Sequence, residues 1–357
     1  MIATRMLRAT PDLVLLLPQP SRPVSRKQMP YNARMKQPIR SLGAGLLAAL
    51  LTPLLAHAEF PDRTVKIVVP FDAGGSIDTV ARALAQRLND KWNVPVIVEN
   101  RPGAGNTIGA NAVAKAAPDG YTLLYANTSI STNPSLFKSL PYDTLRDLAP
   151  VTYLSPSPNV LLVQKTLGVS TLKDLLALAK SRQATPLSYA SVGKGSAHHF
   201  CMELLKSEAG IPLLHVPYRG VAPAVVAVTR GEVDLFCADV TAALGLLQGD
   251  KVTPLAITSR KRAPALPDVA PFAELGLPNY EQTGYVGIMV TGGTPAPIIA
   301  KLNASINEVL REPEFAKKFT ALGYDMVGGT VEGFEKFLKD DIEFYRRLTQ
   351  AAGLTPE

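Results

Sequence analysis

VKIVVPFDAGGSIDTVARALAQRLNDKW, residues 65–92, decides the fold class. Val65, Ile67, Val68 and Val69 make a short β-branched run that reads as a buried strand, and Pro70 ends it. Gly74 and Gly75 allow a tight turn because they carry no Cβ. Ser76 is placed to cap a helix, and Asp78 falls in its first turn, where the helix dipole favours a carboxylate. Ile77, Val80, Ala81, Leu84, Ala85 and Leu88 then recur at helical spacing on one face. Strand, glycine turn and helix N-terminus together leave main-chain N–H groups free for an anion.

The same rhythm continues outward. Strands are predicted at 94–98 and 121–125, with a helix at 108–116 between them, which is the βαβ pattern of a mainly parallel sheet covered on both faces. Near Pro156 and Pro158 the pattern restarts. A helix capped by Ser170 and strands at 187–190, 213–216, 233–237 and 253–258 follow. Beyond Gly284 a strand at 285–290 precedes helices at 297–311, 314–322 and 331–351, which are expected to pack back on the first unit. The domain reading is therefore two α/β lobes, 59–157 plus 285–357 and 158–284, with a ligand cleft between them.

Upstream, MKQPIRSLGAGLLAALLTPLLAHA at 35–58 reads as a secretion signal. Lys36 and Arg40 form a basic start, Leu42 to Leu55 an apolar run, and Ala56-His57-Ala58 a small-x-small cleavage site before Glu59. Residues 1–34 have no clear period and read as an upstream extension from a misassigned start. Residues 1–58 hold eight of the 37 Lys and Arg and one of the 30 Asp and Glu. The remaining 299 residues then carry 29 of each sign, so the overall positive charge is no argument for nucleic-acid binding. The expected product is exported and periplasmic.

Four segments bear on chemistry. Asn100 to Gly109 carries glycines spaced G-x-G-x-x-x-G, one residue too long for a dinucleotide fingerprint, and no phosphate-binding P-loop occurs. Gly193-Lys194-Gly195-Ser196-Ala197-His198-His199 repeats the strand, glycine turn and capped helix of the first segment. Ser196 and His199 raise a secreted hydrolase as a rival, although i to i+3 on one helical turn is poor triad geometry, and His199 reads instead as a helix-surface or packing residue that bonds a neighbouring loop. His198, His199 and His215 lack the companions of a metal site. Asn127, Thr128 and Ser129 follow a strand, as do Ala238, Asp239 and Val240, and strand ends are where open α/β sheets bind ligands. Cys201 and Cys237 suit either a disulfide or two buried thiols. The weight falls on binding rather than catalysis, with no cofactor or metal.

Five ordered motifs carry a resemblance: VPFDAGGSIDTVAR at 69–82, VENRPGAGNTIGANAVAKAAPDGYTLL at 98–124, GKGSAHH at 193–199, HVPYRGVAPAVVAVTRGEVDLF at 215–236 and ITSRKRAPALPDVAPFAELGLPNYE at 257–281. Together they resemble the Bug family of periplasmic solute receptors, which serve tripartite tricarboxylate transporters. The resemblance implies a type II periplasmic-binding-protein fold and a small carboxylate ligand held largely by main-chain N–H groups. It further implies that a small organic acid is handed to the membrane subunits of the transporter, and the receptor is expected to be a monomer. Carried onto this sequence, the ligand loops are Phe71, Asp72, Ala73, Gly74 and Gly75 with Asp78, then Asn127, Thr128 and Ser129, then Gly195 and Ser196, with Ala238, Asp239 and Val240 closing the site. Asp72 stands where a small neutral residue or proline is expected. A carboxylate there would favour an amino- or amide-bearing monocarboxylate over a plain dicarboxylate. A ligand-sensing signalling receptor of the same fold is the remaining alternative.

Overall fold

A computed structural model describes residues 60–356. The proposed upstream extension, the signal peptide and the cleavage point at Ala58/Glu59 lie outside the described residues. In chain order the elements are β1 (Val65–Val69), α1 (Ser76–Trp92), β2 (Val96–Asn100), α2 (Thr107–Ala114), β3 (Thr122–Asn127), α3 (Ser129–Leu136), β4 (Leu148–Gln164), α4 (Leu172–Ser181), β5 (Leu187–Ser191), α5 (Ala197–Ala209), β6 (Leu213–Pro217), α6 (Val221–Arg230), β7 (Leu235–Asp239), α7 (Val240–Gln248), β8 (Val252–Ile257), β9 (Thr283–Thr291), α8 (Ala296–Leu310), α9 (Pro313–Thr320) and α10 (Val331–Ala351).

The strands follow one path, β2-β1-β3-β9-β4-β7-β5-β6, with β8 beside β4. β1 pairs in parallel with β2 and β3, and β5 in parallel with β6 and β7, so each lobe has its own parallel unit. β4 joins them. Its first part, Leu148 to Pro158, runs antiparallel to β9, and from Asn159 onward it pairs with β7 and β8. The chain returns through Gln282, whose N–H donates to Thr258 O at 3.1 Å.

Apolar side chains on both faces of each unit build the cores. Ile67, Leu84, Tyr125, Ile306 and Phe319 are fully buried in the first lobe, and Leu161, Tyr189, Phe200, Phe236 and Phe272 in the second. The disulfide Cys201–Cys237 ties α5 to β7 in the second core.

One expectation needs correcting. The C-terminal helices do not all return to the first lobe. Phe334 and Leu338 of α10 pack with Tyr285 and Met289 in the first lobe, but Tyr345 and Leu348 of the same helix belong to the core around Phe200 and Tyr280. Gln282 Nε2 donates to Tyr345 OH at 2.7 Å. A 21-residue helix spans about 30 Å, long enough to rest on both lobes.

Candidate functional site

The two parallel units open at their carboxyl ends onto one cavity of about 900 Å³. The starts of five helices line it: Gly75 to Asp78 at α1, Thr128 and Ser129 at α3, Ser196 to His198 at α5, Gly220 and Val221 at α6, and Asp239 to Ala242 at α7. Gly103, Gly105 and Asn106, just before α2, add a sixth segment. Helix N-termini present partial positive charge and N–H groups without intrahelical acceptors, so their convergence suits an anion.

Which of these N–H groups remain free is decided by the caps. In the second lobe Ser196 Oγ accepts from His199 N at 3.3 Å and Asp239 Oδ1 from Ala242 N at 3.0 Å. In the first lobe the N-cap residues of α1, α2 and α3 make no side-chain cap, although Asn127 Oδ1 accepts from Ser129 N at 3.2 Å, and α6 of the second lobe is uncapped too. The first amide of α1 to meet a helix carbonyl is Thr79 N, which donates to Gly75 O at 3.0 Å. Ser76 is the first helical residue rather than the cap, and its Oγ lies 3.0 Å from Tyr324 OH.

Of the residues expected at the site, Phe71, Asp72, Gly75, Asp78, Asn127, Thr128, Ser129, Gly195, Ser196, Asp239 and Val240 all line the cavity. Ala73 and Gly74 do not: both are exposed on the outer part of the turn. Ala238 is fully buried within β7 and packs in the core behind the site. Asp78 lines the cavity with its charge already spent. Its carboxylate accepts from Gly74 N at 2.9 Å, Arg82 Nε at 2.8 Å and Asn100 Nδ2 at 2.9 Å. Burial alone would raise its pKa, but these bonds outweigh it and hold the group at about 2. Asp78 therefore shapes the glycine turn. Asp72 is exposed at the rim.

The second glycine turn is held in a comparable way. Gly195 N donates to His199 Nδ1 at 2.9 Å. His199 is buried, not on the helix surface, and its ring stacks on His215 at 4.2 Å. Burial and then the neighbouring His215 push its pKa down to about 4, which keeps the ring neutral and Nδ1 able to accept. Ser196 Oγ meanwhile donates to Gly193 O at 2.7 Å. With Nδ1 taken by Gly195 and the hydroxyl aimed at a carbonyl, Ser196 and His199 do not form a nucleophile–base pair.

The lobes touch beside the cavity at two glycines with left-handed backbones. A Cβ on Gly195, at φ +76°, would sit 2.3 Å from Leu136 Cδ1 of α3. One on Gly323, at φ +89°, would sit 2.6 Å from Val240 Cγ1. Thr241 Oγ1 also donates to Leu322 O across this second contact at 2.7 Å.

Sequence reasoning missed Asn106, His198, Arg219 and Tyr324 as lining residues. Arg219 precedes α6 inside a motif already noted, and its charge beside Gly220 was the available signal. Tyr324 had none, since it follows α9 and reaches the cavity only through the fold.

Residues 80–354 match the model of the tripartite tricarboxylate transporter family receptor. This chain belongs to that family. Protein BugT of Bordetella pertussis is 35% identical over 308 residues, covering 86% of this chain and 94% of BugT. Among solved structures, R. palustris Rpa4515 with adipate is 31% identical with a TM-score of 0.75, covering 84% of this chain and 100% of that one. MatC from Rhodopseudomonas palustris with bound malate is 32% identical with a TM-score of 0.69, covering 81% of this chain and 99% of MatC. The family receptor therefore has the type II periplasmic-binding-protein fold and a solute-binding role in transport. Among its described residues, no helix is long and apolar enough to cross a membrane.

Proposed function

We propose that this family receptor captures a small organic carboxylate in the interlobe cavity, in the periplasm, and hands it unchanged to the membrane subunits of a tripartite transporter. The observation that carries the reading is the convergence of uncapped helix starts on one cavity of about 900 Å³. The acid's oxygens would take the first-turn amides of α1 and the neighbouring first-lobe loops, with exposed Arg219 adding positive charge from the second lobe. The adipate and malate named with two relatives support an acid as the ligand class. Ser196 and His199, engaged with the backbone, support binding without turnover.

The lobes 59–157 plus 285–357 and 158–284 would move as a hinge about β4 and the Gln282–Thr283 return, with α10 flexing between them. The signal would be cleaved near Ala58/Glu59 on export, and the receptor would act as a monomer. A thermal-shift screen of the chain from Glu59 against small organic acids tests the reading. A ligand at a hundred times its Kd stabilises the folded state by about 2.7 kcal/mol. A midpoint rise with at least one carboxylate is expected, and indifference to the whole panel would refute it.

A further inference from the structure

On the second-lobe wall one carboxylate is built differently from the rest. Asp239 ends β7 and caps α7: its Oδ1 accepts from Ala242 N at 3.0 Å, which fixes the side chain. No described donor lies within hydrogen-bonding distance of its Oδ2, although burial is outweighed by the neighbouring His198 ring and the Ala242 amide, which hold the carboxyl below the usual range. The nearest partner is His198 Nε2 at 3.9 Å, beyond hydrogen-bonding reach. The Asp239 side chain is 33% exposed, and both Asp239 and His198 line the cavity. Behind it, both ring nitrogens of His198 are buried without a hydrogen-bond partner, the ring lying flat against Phe236 at 5.5 Å. Asp78 makes the contrast clear, because its two oxygens are saturated by three donors. Asp72 is exposed at the rim, where water screens its charge.

An oriented carboxylate with one oxygen unsatisfied, on the wall of a ligand cavity, is an acceptor waiting for a donor. The first-lobe helix starts supply donors, so they read the acid end of a ligand. We propose that Asp239, positioned by its own cap and backed by His198, reads a second group on the ligand, a cationic or amide N–H, and so selects amino- or amide-bearing carboxylates over their carbon isosteres. This inference rests on the carboxylate-receptor reading above. It moves the selecting group from Asp72, which the sequence suggested, to the opposite lobe. A plain second carboxylate brought to this wall would meet Asp239 as a like charge.

Asn caps a helix as well as Asp does, so Asp239→Asn removes the charge while keeping the bond to Ala242 N. The probes are two matched pairs: 4-aminobutanoate with pentanoate, and succinamate with 4-oxopentanoate. Calorimetry on the wild type should give each nitrogen-bearing member about ten-fold or more tighter binding than its partner. Asp239→Asn should bring both pairs close to parity without lowering the thermal midpoint, and Asp72→Asn should leave the preference intact. Equal affinity within both pairs in the wild type overturns this inference alone. A preference abolished by Asp72→Asn and kept by Asp239→Asn also overturns it. If none of the four probes binds while the thermal-shift screen finds a carboxylate without nitrogen, this inference falls and the carboxylate reading stands.

Discussion

Asp341→Asn should make the protein less sensitive to alkali. Asp341 sits midway along α10 and is 9% exposed, with Oδ2 lacking any hydrogen-bond partner. It faces Ser131 of α3 and the rings of Tyr153 on β4, Tyr285 on β9 and Tyr345 on its own helix. Burial raises its pKa to about 7, against a small opposing effect from Ser131. The unfolded chain ionises near the ordinary value of 3.8, so the folded state binds the extra proton. Stability is therefore undiminished below pH 3.8 and is lost as pH rises toward 7. The full loss is about 4 kcal/mol, of which roughly 2.5 kcal/mol develops between pH 5 and pH 8. Asn cannot ionise, so this component disappears, while any fixed cost of the amide cancels between the two pH values. Urea unfolding of both proteins at pH 5 and pH 8 measures it. The wild type should lose about 2.5 kcal/mol more than Asp341→Asn over that interval. An identical pH dependence in the two proteins would refute the argument.

Three further outcomes are expected. Asp78→Ala removes the acceptor that holds Gly74, Arg82 and Asn100, and denaturation at pH 7 should register a loss of about 2 kcal/mol. Because the folded pKa is lowered to about 2, that contribution is present above pH 3.8 and fades as pH falls toward 2, where variant and wild type should converge. Gly195→Ala drives a methyl into Leu136 across the cleft, and calorimetry with any ligand found by screening should show affinity reduced about ten-fold or more. Replacing both Cys201 and Cys237 by Ala opens a link between positions 36 residues apart, and the chain-entropy estimate is a loss of about 4 kcal/mol in urea unfolding.

The opening of the fold, from β1 to β3, was legible because its period switches cleanly. Val65–Val69 and Ser76–Trp92 stand in the structure where the alternation of strand run, glycines and helical spacing put them. β4 was not legible: Pro150, Pro156 and Pro158 lie inside it, and proline ordinarily argues against a long central strand. One of two shifts of register against β9 directly follows Pro150, whereas Pro156 and Pro158 stay in register opposite Tyr285 and Thr283. α3 was hidden for a different reason. Ile130, Ser131, Thr132 and Asn133 are all buried, so the helix has no polar outer face to set against an apolar one, and Pro134 interrupts its pattern. The polar run after β3 therefore read as a loop. At the site, glycine turns and strand ends were visible as motifs. Whether a given N–H or carboxylate was still free depended on partners far along the chain, such as Asn100 for Asp78, and spacing carries no signal for that.

The most direct test of the account is a crystal structure of the chain from Glu59 with an acid selected by thermal shift. The account predicts carboxylate oxygens at about 2.7–3.2 Å from main-chain nitrogens at the start of α1, inside the closed cavity. A ligand carboxylate held only by side chains, or bound outside the space between the lobes, would contradict it.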